Sequence, residues 1–291
     1  MSEAGTPVKG MSQNPLHSYD PNGFYCEMLG RPGSYEAKSP ALWNRLLAYE
    51  ESELRSRASE ATGELLDLGI TFTVYSDRDA IDRILPFDLI PRILSAAEWS
   101  GIEAGVIQRV TALNLFLDDI YNEGKILKDG IIPSDLVLGN SNYRAEIKGY
   151  RPPCGTYVHI AGVDLIRDAE GEFLVLEDNA RTPSGVSYVV ENRHLMQRAF
   201  PDLLDGFAVR SVSEYGERLR EKLQDVAPAG MSRQRSEPTV VLLSPGVFNS
   251  AYFEHIFLAR EMGIPLVEGR DLVIDDDRVF MRTVAGPQRV D

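Results

Sequence analysis

The chain has 291 residues, of which 43% are hydrophobic and 25% charged, enough to bury a large core in one or two domains. Its net charge of −14, from 44 acidic and 30 basic residues, argues against nucleic acid or an anionic membrane surface as the main partner. No apolar run approaches the ~18 residues of a membrane span, and no signal-peptide core is found near the N-terminus. We therefore predict a cytoplasmic globular protein in which Cys26 and Cys154 are reduced thiols or, as the alternative, one disulfide.

The N-terminal region predicts an arm, a long helix and a strand. Residues 1–36 are rich in Ser, Gly and Pro and lack apolar periodicity, which is typical of a flexible arm. Leu42–Leu68 is amphipathic and predicts one long helix that begins after Pro40 and ends at Gly69. Ile70–Tyr75 is rich in β-branched and aromatic residues, which favour a strand.

Helical periodicity returns between Ala96 and Tyr121, where apolar side chains recur every three or four residues. These side chains are Trp99, Ile102, Val106, Val110, Leu113 and Leu117. We interpret them as the buried face of a core helix, and an aromatic binding surface is the alternative.

An apolar hairpin that ends in polar residues is predicted next. Tyr157–Ile166 and Phe173–Glu177 predict two strands joined by a turn at Arg167–Glu172, where Gly171 accommodates a positive φ. The Pro and Gly residues of Asp178–Gly185 disfavour further strand. The hairpin therefore brings Asp, Glu and Asn side chains to one end of a sheet.

This end of the hairpin has the residue types that hold Mg²⁺, which prefers one or two carboxylates together with phosphate and water. Glu177 and Asn179 are two residues apart, so on an extended strand they face the same side. A four-residue loop, Asp168–Gly171, would place Asp164 on this face too, diagonal to Glu177. A three-residue loop with a bulge would place Asp164 on the other face. The alternative to a metal site is that Glu177 merely ends a strand at the surface.

The C-terminal region predicts a linker followed by an α/β unit. Residues 228–238 combine Pro, Gly, Ser and Arg without apolar periodicity and indicate the linker. Residues 239–291 predict a strand, the helix Tyr252–Met262, another strand and an apolar hairpin. The predicted domains are the arm at 1–36, a lobe at 37–227 that includes the first hairpin, the linker at 228–238, and an incomplete α/β segment at 239–291.

The return strand of the first hairpin and the residues after it resemble a known family. Leu176–Tyr188, running into Glu191–Arg193, is similar to the circularly permuted ATP-grasp proteins of type 2, relatives of the glutathionylspermidine synthases. Further segments resemble that family in the same order: Gly69–Tyr75, Pro86–Arg92, Gln108–Asn114, Ile126–Pro133 and Asn249–His255. The resemblance implies a mixed α/β (α+β) fold, circularly permuted, with an ATP-grasp-like metal-binding lobe of antiparallel strands and the start of a three-layer α/β domain.

The resemblance also implies an ATP- and Mg²⁺-dependent carboxylate–amine ligase that acts through an acyl phosphate. Asp164, Glu177 and Asn179 would hold Mg²⁺ on the phosphates, and Arg181 would stabilise the transferring phosphoryl group or place the carboxylate. Arg193 would contact or support a substrate, and the alternative for both arginines is a salt bridge to nearby carboxylates. The substrates would be small-molecule or peptide carboxylates and amines, which the resemblance does not identify further.

Proteins of this family continue well beyond the position that matches Asp291. Their later part carries a lysine-bearing strand and a glycine-rich loop that close over ATP, and neither they nor a G-x-x-x-x-G-K-[ST] motif is found in this sequence. We therefore expect a chain truncated at its C-terminus that holds the Mg²⁺ ligands and lacks much of the nucleotide clamp. The alternative is a catalytically silent fragment, or a binding subunit that a second, C-terminal polypeptide completes.

Overall fold

The structure, a computed structural model, describes residues 14–75, 80–84, 86–228 and 237–291. The start of the predicted arm, residues 1–13, and most of the predicted linker, residues 229–236, lie outside the described residues. The described chain divides into two compact units. The first comprises the described residues of 14–94 with Arg167–Leu174 and Val189–Arg210, and the second comprises Ser95–Ile166, Val175–Tyr188 and Ser211–Asp291. The predicted domain boundaries stay a prediction.

Helices alternate with small sheets, as in a mixed α/β fold, and this confirms the predicted fold class. The first unit contains α1 (Pro40–Leu47), α2 (Glu51–Asp67) and an antiparallel pair, β1 (Thr71–Tyr75) and β2 (Ala80–Ile84). The second unit begins with α3 (Ala96–Tyr121), α4 (Lys125–Lys128) and α5 (Ser134–Leu138). The hairpin of β3 (Gly162–Arg167) and β4 (Phe173–Asn179) and the helix α6 (Val186–Ala199) each contribute residues to both units. Within the described ranges, no helix combines the length and the apolar character that crossing a membrane requires.

The C-terminal elements of the second unit follow the predicted α/β order. They are α7 (Tyr215–Asp225), β5 (Leu242–Leu243), α8 (Tyr252–Met262), β6 (Leu266–Val267), β7 (Leu272–Asp275), β8 (Arg278–Thr283) and β9 (Gly286–Arg289). β5 and β6 are parallel neighbours, and α8 lies between them in the chain, so they form a βαβ unit. β7, β8 and β9 form an antiparallel sheet. Asp276 and Asp277 both have positive φ, at 47° and 55°, which is the backbone of a two-residue hairpin turn.

The predicted long helix Leu42–Leu68 is wrong, because the chain breaks between α1 and α2. Glu50 is extended at the break, with φ −76° and ψ 153°. The buried Asn14 amide donates to the carbonyls of Leu46, at 2.7 Å, and Tyr49, at 2.9 Å. These bonds hold the backbone at the end of α1 and just beyond it.

The core of the first unit is formed by α1, α2, the C-terminal part of α6 and the segment that follows it. Its most buried apolar side chains are Leu42, Leu46, Leu65, Ile70, Leu195, Phe200 and Leu203. The side chain of Arg57 covers one side of this core. Its guanidinium lies 4.9 Å from the ring centroid of Tyr49 and 5.2 Å from that of Phe200. Phe200 is only 1% exposed, so the aromatic contacts belong to the packed interior.

The tip of the β3–β4 hairpin packs on an aromatic residue of the N-terminal region. The guanidinium of Arg167 lies 3.9 Å from the ring centroid of Tyr25 and 4.5 Å from that of Phe173. Gly171 has φ +89°, and a Cβ at this position would come within 2.7 Å of the Tyr25 ring. Glycine is therefore required here both by the backbone conformation and by the space available.

We expect Gly171→Ala to lower the free energy of unfolding by about 1–3 kcal/mol, since a side chain at positive φ is strained and the added methyl group meets the Tyr25 ring. Urea denaturation measures the effect. Gly63→Ala is the matched control, because Gly63 lies inside α2 with open space around its Cβ position. Alanine there should stabilise the protein by about 0.5–1 kcal/mol. A Gly171→Ala protein as stable as wild type would show that the tip does not pack on Tyr25.

The prediction that α3 is a core helix is only partly right. Its bounds agree with the predicted ones, but only Ile120 and Tyr121 are buried among its residues. Trp99 of the predicted stripe is 42% exposed, and Ile107 and Leu115, outside the stripe, are more than 60% exposed. Much of α3 is instead held by hydrogen bonds and ion pairs from its polar side chains, described below.

The turn after α3 is organised by Asp119. Its two carboxylate oxygens accept hydrogen bonds from the backbone N–H groups of Lys125 and Ile126, each at 2.9 Å. These bonds from Ile126 and Lys125 hold the pKa of the Asp119 carboxyl below its usual value, since they favour the charged form.

We expect Asp119→Asn to destabilise the chain at neutral pH by an amount that shrinks at acid pH. A carboxylate with a lowered folded-state pKa stabilises the fold above its unfolded pKa, about 3.9, and that contribution is lost as the pH falls through the folded pKa. Urea denaturation of both proteins between pH 7 and pH 3 measures the difference. An undiminished difference at pH 3 would contradict this account.

Candidate metal centre

The open end of the β3–β4 hairpin brings together three residues that the sequence predicts as metal ligands. The amide Nδ2 of Asn179 lies 3.2 Å from Glu177 Oε1 and 3.4 Å from Asp164 Oδ2. All three side chains are exposed, so water and a ligand have access to them. Two carboxylates and one amide thus converge on one point of the second unit.

The loop of this hairpin has three residues, which is the second of the two loop lengths that the sequence leaves open. The N–H of Asp168 donates to the carbonyl of Glu172, and the N–H of Gly171 donates to the carbonyl of Asp168, both at 3.1 Å. This leaves Ala169–Gly171 as the loop, with Gly171 at positive φ, the arrangement of a three-residue loop with a bulge.

Asp164 nevertheless lies beside Glu177 and Asn179, contrary to what this loop alone predicts. Counting back from the pair of Asp168 and Glu172 would place Gly162 opposite Asp178. At the open end, however, a Cβ on Gly162 would lie 3.6 Å from the Asn179 Cβ. The pairing at the open end is therefore shifted by one residue relative to the loop, and this shift brings Asp164 onto the face of Glu177 and Asn179.

These three residues fit a magnesium ion by their chemistry. Mg²⁺ takes oxygen ligands, usually from one or two carboxylates, and leaves the remaining positions to water and phosphate. In the structure, the Asn179 amide turns its N–H donors toward the two carboxylates. A cation in this place would be met by Oδ1 instead, after the amide turns about its terminal bond. The described residues contain no group of three or more His, Cys, Asp or Glu side chains arranged for a metal, so this mixed set is the candidate.

Asp178, between Glu177 and Asn179, does not join them. Its carboxylate binds Arg109 of α3 through Nε, at 2.7 Å, and through Nη2, at 2.7 Å. These hydrogen bonds hold the pKa of the Asp178 carboxyl below its usual value. The ion pair of Arg109 and Asp178 thus connects the end of β4 to α3. Sequence analysis did not predict this role for Arg109, because its partner lies 69 residues away.

A second residue of α3 positions the chain that leads into β3. Asn114 Oδ1 accepts hydrogen bonds from the backbone N–H groups of Tyr157, at 2.8 Å, and Val158, at 3.1 Å. The Tyr157 hydroxyl in turn lies 3.2 Å from Asp118 and 3.0 Å from the Asn122 amide. The predicted first strand, Tyr157–Ile166, is therefore shorter than expected: its beginning is held by side chains of α3, and β3 starts at Gly162.

The loop after β4 carries Arg181. Its side chain is exposed and, among the described residues, makes no hydrogen bond or ion pair. The alternative prediction, a salt bridge to a nearby carboxylate, is therefore wrong for Arg181. The loop ends at Gly185, and α6 begins at the next residue, Val186.

Arg193 lies in α6, in the part of that helix that belongs to the first unit. Its Nη1 donates to the carbonyl of Arg210 at 2.9 Å, which also differs from the predicted salt bridge. This contact supports the backbone after α6. A substrate role for Arg193 stays a prediction.

Comparison with known proteins gives the context of this site. The family model described as a circularly permuted ATP-grasp matches residues 91–291, which include all three candidate ligands. An uncharacterized protein of Synechocystis is 46% identical over 95% of this chain and 56% of its own length. An uncharacterized protein of Mycobacterium tuberculosis is 46% identical over 91% of this chain and 47% of its own length. A putative glutamate–cysteine ligase of Frankia alni is 37% identical over 95% of this chain and 31% of its own length.

The chain thus spans about half the length of the first two of these relatives and about a third of the last. The match to the family model extends over more than two thirds of the chain and covers the hairpin, α3 and the α/β segment. The family expected from the sequence is confirmed: the chain belongs to the circularly permuted ATP-grasp family.

Proposed function

We propose that this chain is an ATP-dependent carboxylate–amine ligase, or the metal-binding portion of one. The observation that carries the proposal is the meeting of Asp164, Glu177 and Asn179 at one end of a hairpin in an ATP-grasp family member. These residues would hold Mg²⁺ on the β- and γ-phosphates of ATP. When bound, the metal would neutralise charge that develops during phosphoryl transfer.

The proposed reaction has two steps. A carboxylate oxygen of the acid attacks the γ-phosphorus and releases ADP, and an amine then attacks the acyl phosphate, loses a proton and releases phosphate. Arg181, exposed and unpaired among the described residues, would bind the transferring phosphoryl group or the carboxylate bidentately. Arg193 would contact or support a substrate from within α6.

The name of one relative supports the proposal of a ligase. The Frankia alni protein is named as a putative glutamate–cysteine ligase, which suggests small-molecule or peptide carboxylates and amines as substrates here. The strong negative charge makes nucleic acid and anionic membranes unfavourable partners, and the cytoplasm would supply the ATP. A closer relation to the glutathionylspermidine synthases is part of this proposal.

A second candidate function is a catalytically silent fragment or a binding subunit that needs another polypeptide. The observation that favours it is length, since the chain spans about half of the Synechocystis and Mycobacterium tuberculosis relatives. A polypeptide that corresponds to the rest of such a relative would then complete the nucleotide site.

Trapping with hydroxylamine tests the proposed reaction. The chain, alone and mixed with a polypeptide that covers the rest of the Synechocystis relative, is incubated with Mg²⁺, ATP and a panel of carboxylic acids. We expect hydroxamate together with ADP and phosphate in at least one of the two preparations. Formation of AMP and pyrophosphate would contradict the acyl-phosphate route. Hydroxamate from the mixture alone would favour the second candidate.

A further inference from the structure

Glu254 is a buried carboxylate outside the candidate metal centre. It lies in the first turn of α8 and is only 4% exposed. Its Oε2 accepts a hydrogen bond from the backbone N–H of Gly185 at 2.5 Å. Burying a carboxylate costs free energy unless hydrogen bonds compensate it, and the Gly185 N–H supplies one such bond.

Gly185 ends the loop that carries Arg181. It has φ +108°, a conformation that L side chains rarely adopt. Its carbonyl accepts a hydrogen bond from the Tyr188 N–H at 3.1 Å, so α6 begins immediately after it. Glu254 therefore binds the chain where the loop turns into the helix.

The surroundings of Glu254 are aromatic. The rings of Tyr188 and Phe253 are stacked with centroids 5.7 Å apart, so the start of α6 also contacts α8 through its side chain. Burial, and then the charge of Glu254, raise the pKa of Tyr188 and of Tyr215. Both phenols therefore stay protonated at neutral pH.

The loop is thus anchored on both sides. The Arg109–Asp178 pair fixes the end of β4 before the loop, and Glu254 fixes Gly185 after it. Between these anchors lies Arg181, which has no partner among the described residues. This leaves the guanidinium on a short segment whose two ends are held by charged side chains.

We propose that Glu254 is a positioning residue that sets the conformation of the Arg181 loop through the Gly185 N–H. The anchoring itself is a property of the fold. Its consequence for ligand binding, which acts through Arg181, rests on the proposed function.

Hydrogen exchange of the whole chain tests the anchoring. Glu254→Leu removes the acceptor with little change in volume, and Glu254→Gln keeps an acceptor oxygen without the charge. We expect backbone amides of residues 180–188 to exchange roughly 10-fold faster in Glu254→Leu, with a smaller change in Glu254→Gln, because one hydrogen bond that opposes local opening is lost. Glu261→Leu, the same change elsewhere on α8, is the control and should leave this segment unchanged.

Unchanged exchange at 180–188 in a folded Glu254→Leu protein would overturn the inference. If Glu254→Leu does not fold, Glu254→Asp decides, because the shorter side chain draws the acceptor away from the Gly185 N–H, and wild-type exchange in that variant would overturn the inference equally. Equal acceleration throughout α7 and β8 would indicate a general loss of stability and would also count against positioning.

Measurements of nucleotide binding distinguish this positioning role of Glu254 from a purely structural one. With Mg²⁺ and a non-hydrolysable ATP analogue, Glu254→Gln should weaken binding in the wild-type background and have no further effect in an Arg181→Ala background. Equal weakening in both backgrounds would overturn action through Arg181. If the wild-type chain binds no nucleotide, the proposed function fails for this chain, while the exchange experiment still decides the role of Glu254.

Discussion

Replacing Glu177 with alanine is expected to lower the affinity of the chain for a non-hydrolysable ATP analogue in the presence of Mg²⁺ by at least about 100-fold. Glu177 supplies one of the two carboxylates that converge with the Asn179 amide. Residues that merely orient metal ligands already contribute roughly 10–100-fold to metal affinity, so the loss of a direct ligand should reach at least the upper end of that range. Calorimetric titration of both proteins measures the change.

Glu170→Ala is the matched control for this experiment. Glu170 lies in the same hairpin, but in its loop rather than at its open end, and its side chain is exposed. Its removal changes the net charge by the same amount, so nonspecific electrostatic effects should be equal in the two variants. If Glu177→Ala binds the nucleotide as tightly as Glu170→Ala does, Glu177 is not a metal ligand.

The largest effect on stability is expected for Phe200→Ala, which should lower the free energy of unfolding by about 3–5 kcal/mol. Phe200 is 1% exposed, its ring centroid lies 5.3 Å from that of Tyr49, and the guanidinium of Arg57 covers it. Alanine would remove these contacts and leave a cavity among the most buried side chains of the first unit. Denaturation by urea measures the loss.

The control for Phe200 is Phe24→Ala in the same unit. Phe24 is 71% exposed, so its removal should change stability by no more than about 0.5 kcal/mol. Similar losses in the two variants would mean that Phe200 does not lie in the core of the first unit.

Much of the candidate site could be predicted from the sequence because it depends on local geometry. Glu177 and Asn179 are two apart on a strand, so strand periodicity alone places them on one face. Asp164 could not be placed in the same way. Its face depends on the type of turn and on the one-residue shift in pairing at the open end, and no sequence signal identifies that shift.

The anchors of the site could not be predicted because they join residues far apart in sequence. Arg109 with Asp178 and Glu254 with Gly185 are each separated by 69 residues, and every one of these residue types is common at surfaces. Periodicity correctly predicted that α3 is a helix. It could not show that, of the residues of α3, only Ile120 and Tyr121 are buried.

The break between α1 and α2 shows the same limit at the level of secondary structure. The residues between Leu42 and Leu68 favour a helix throughout, and neither Gly nor Pro marks position 50. Asn14, more than 30 residues away, stabilises the break by donating hydrogen bonds to the carbonyls of Leu46 and Tyr49. A tertiary contact therefore overrides a continuous local preference.

The most direct test of the central claim is to locate the cation itself. Crystals of the chain grown with Mn²⁺ in place of Mg²⁺ and a non-hydrolysable ATP analogue would reveal the metal by its anomalous scattering. We predict a peak at coordination distance from Asp164, Glu177 and Asn179, with the analogue's phosphates on its other side. A bound nucleotide whose metal is held by other residues, with these three side chains left free, would contradict the account.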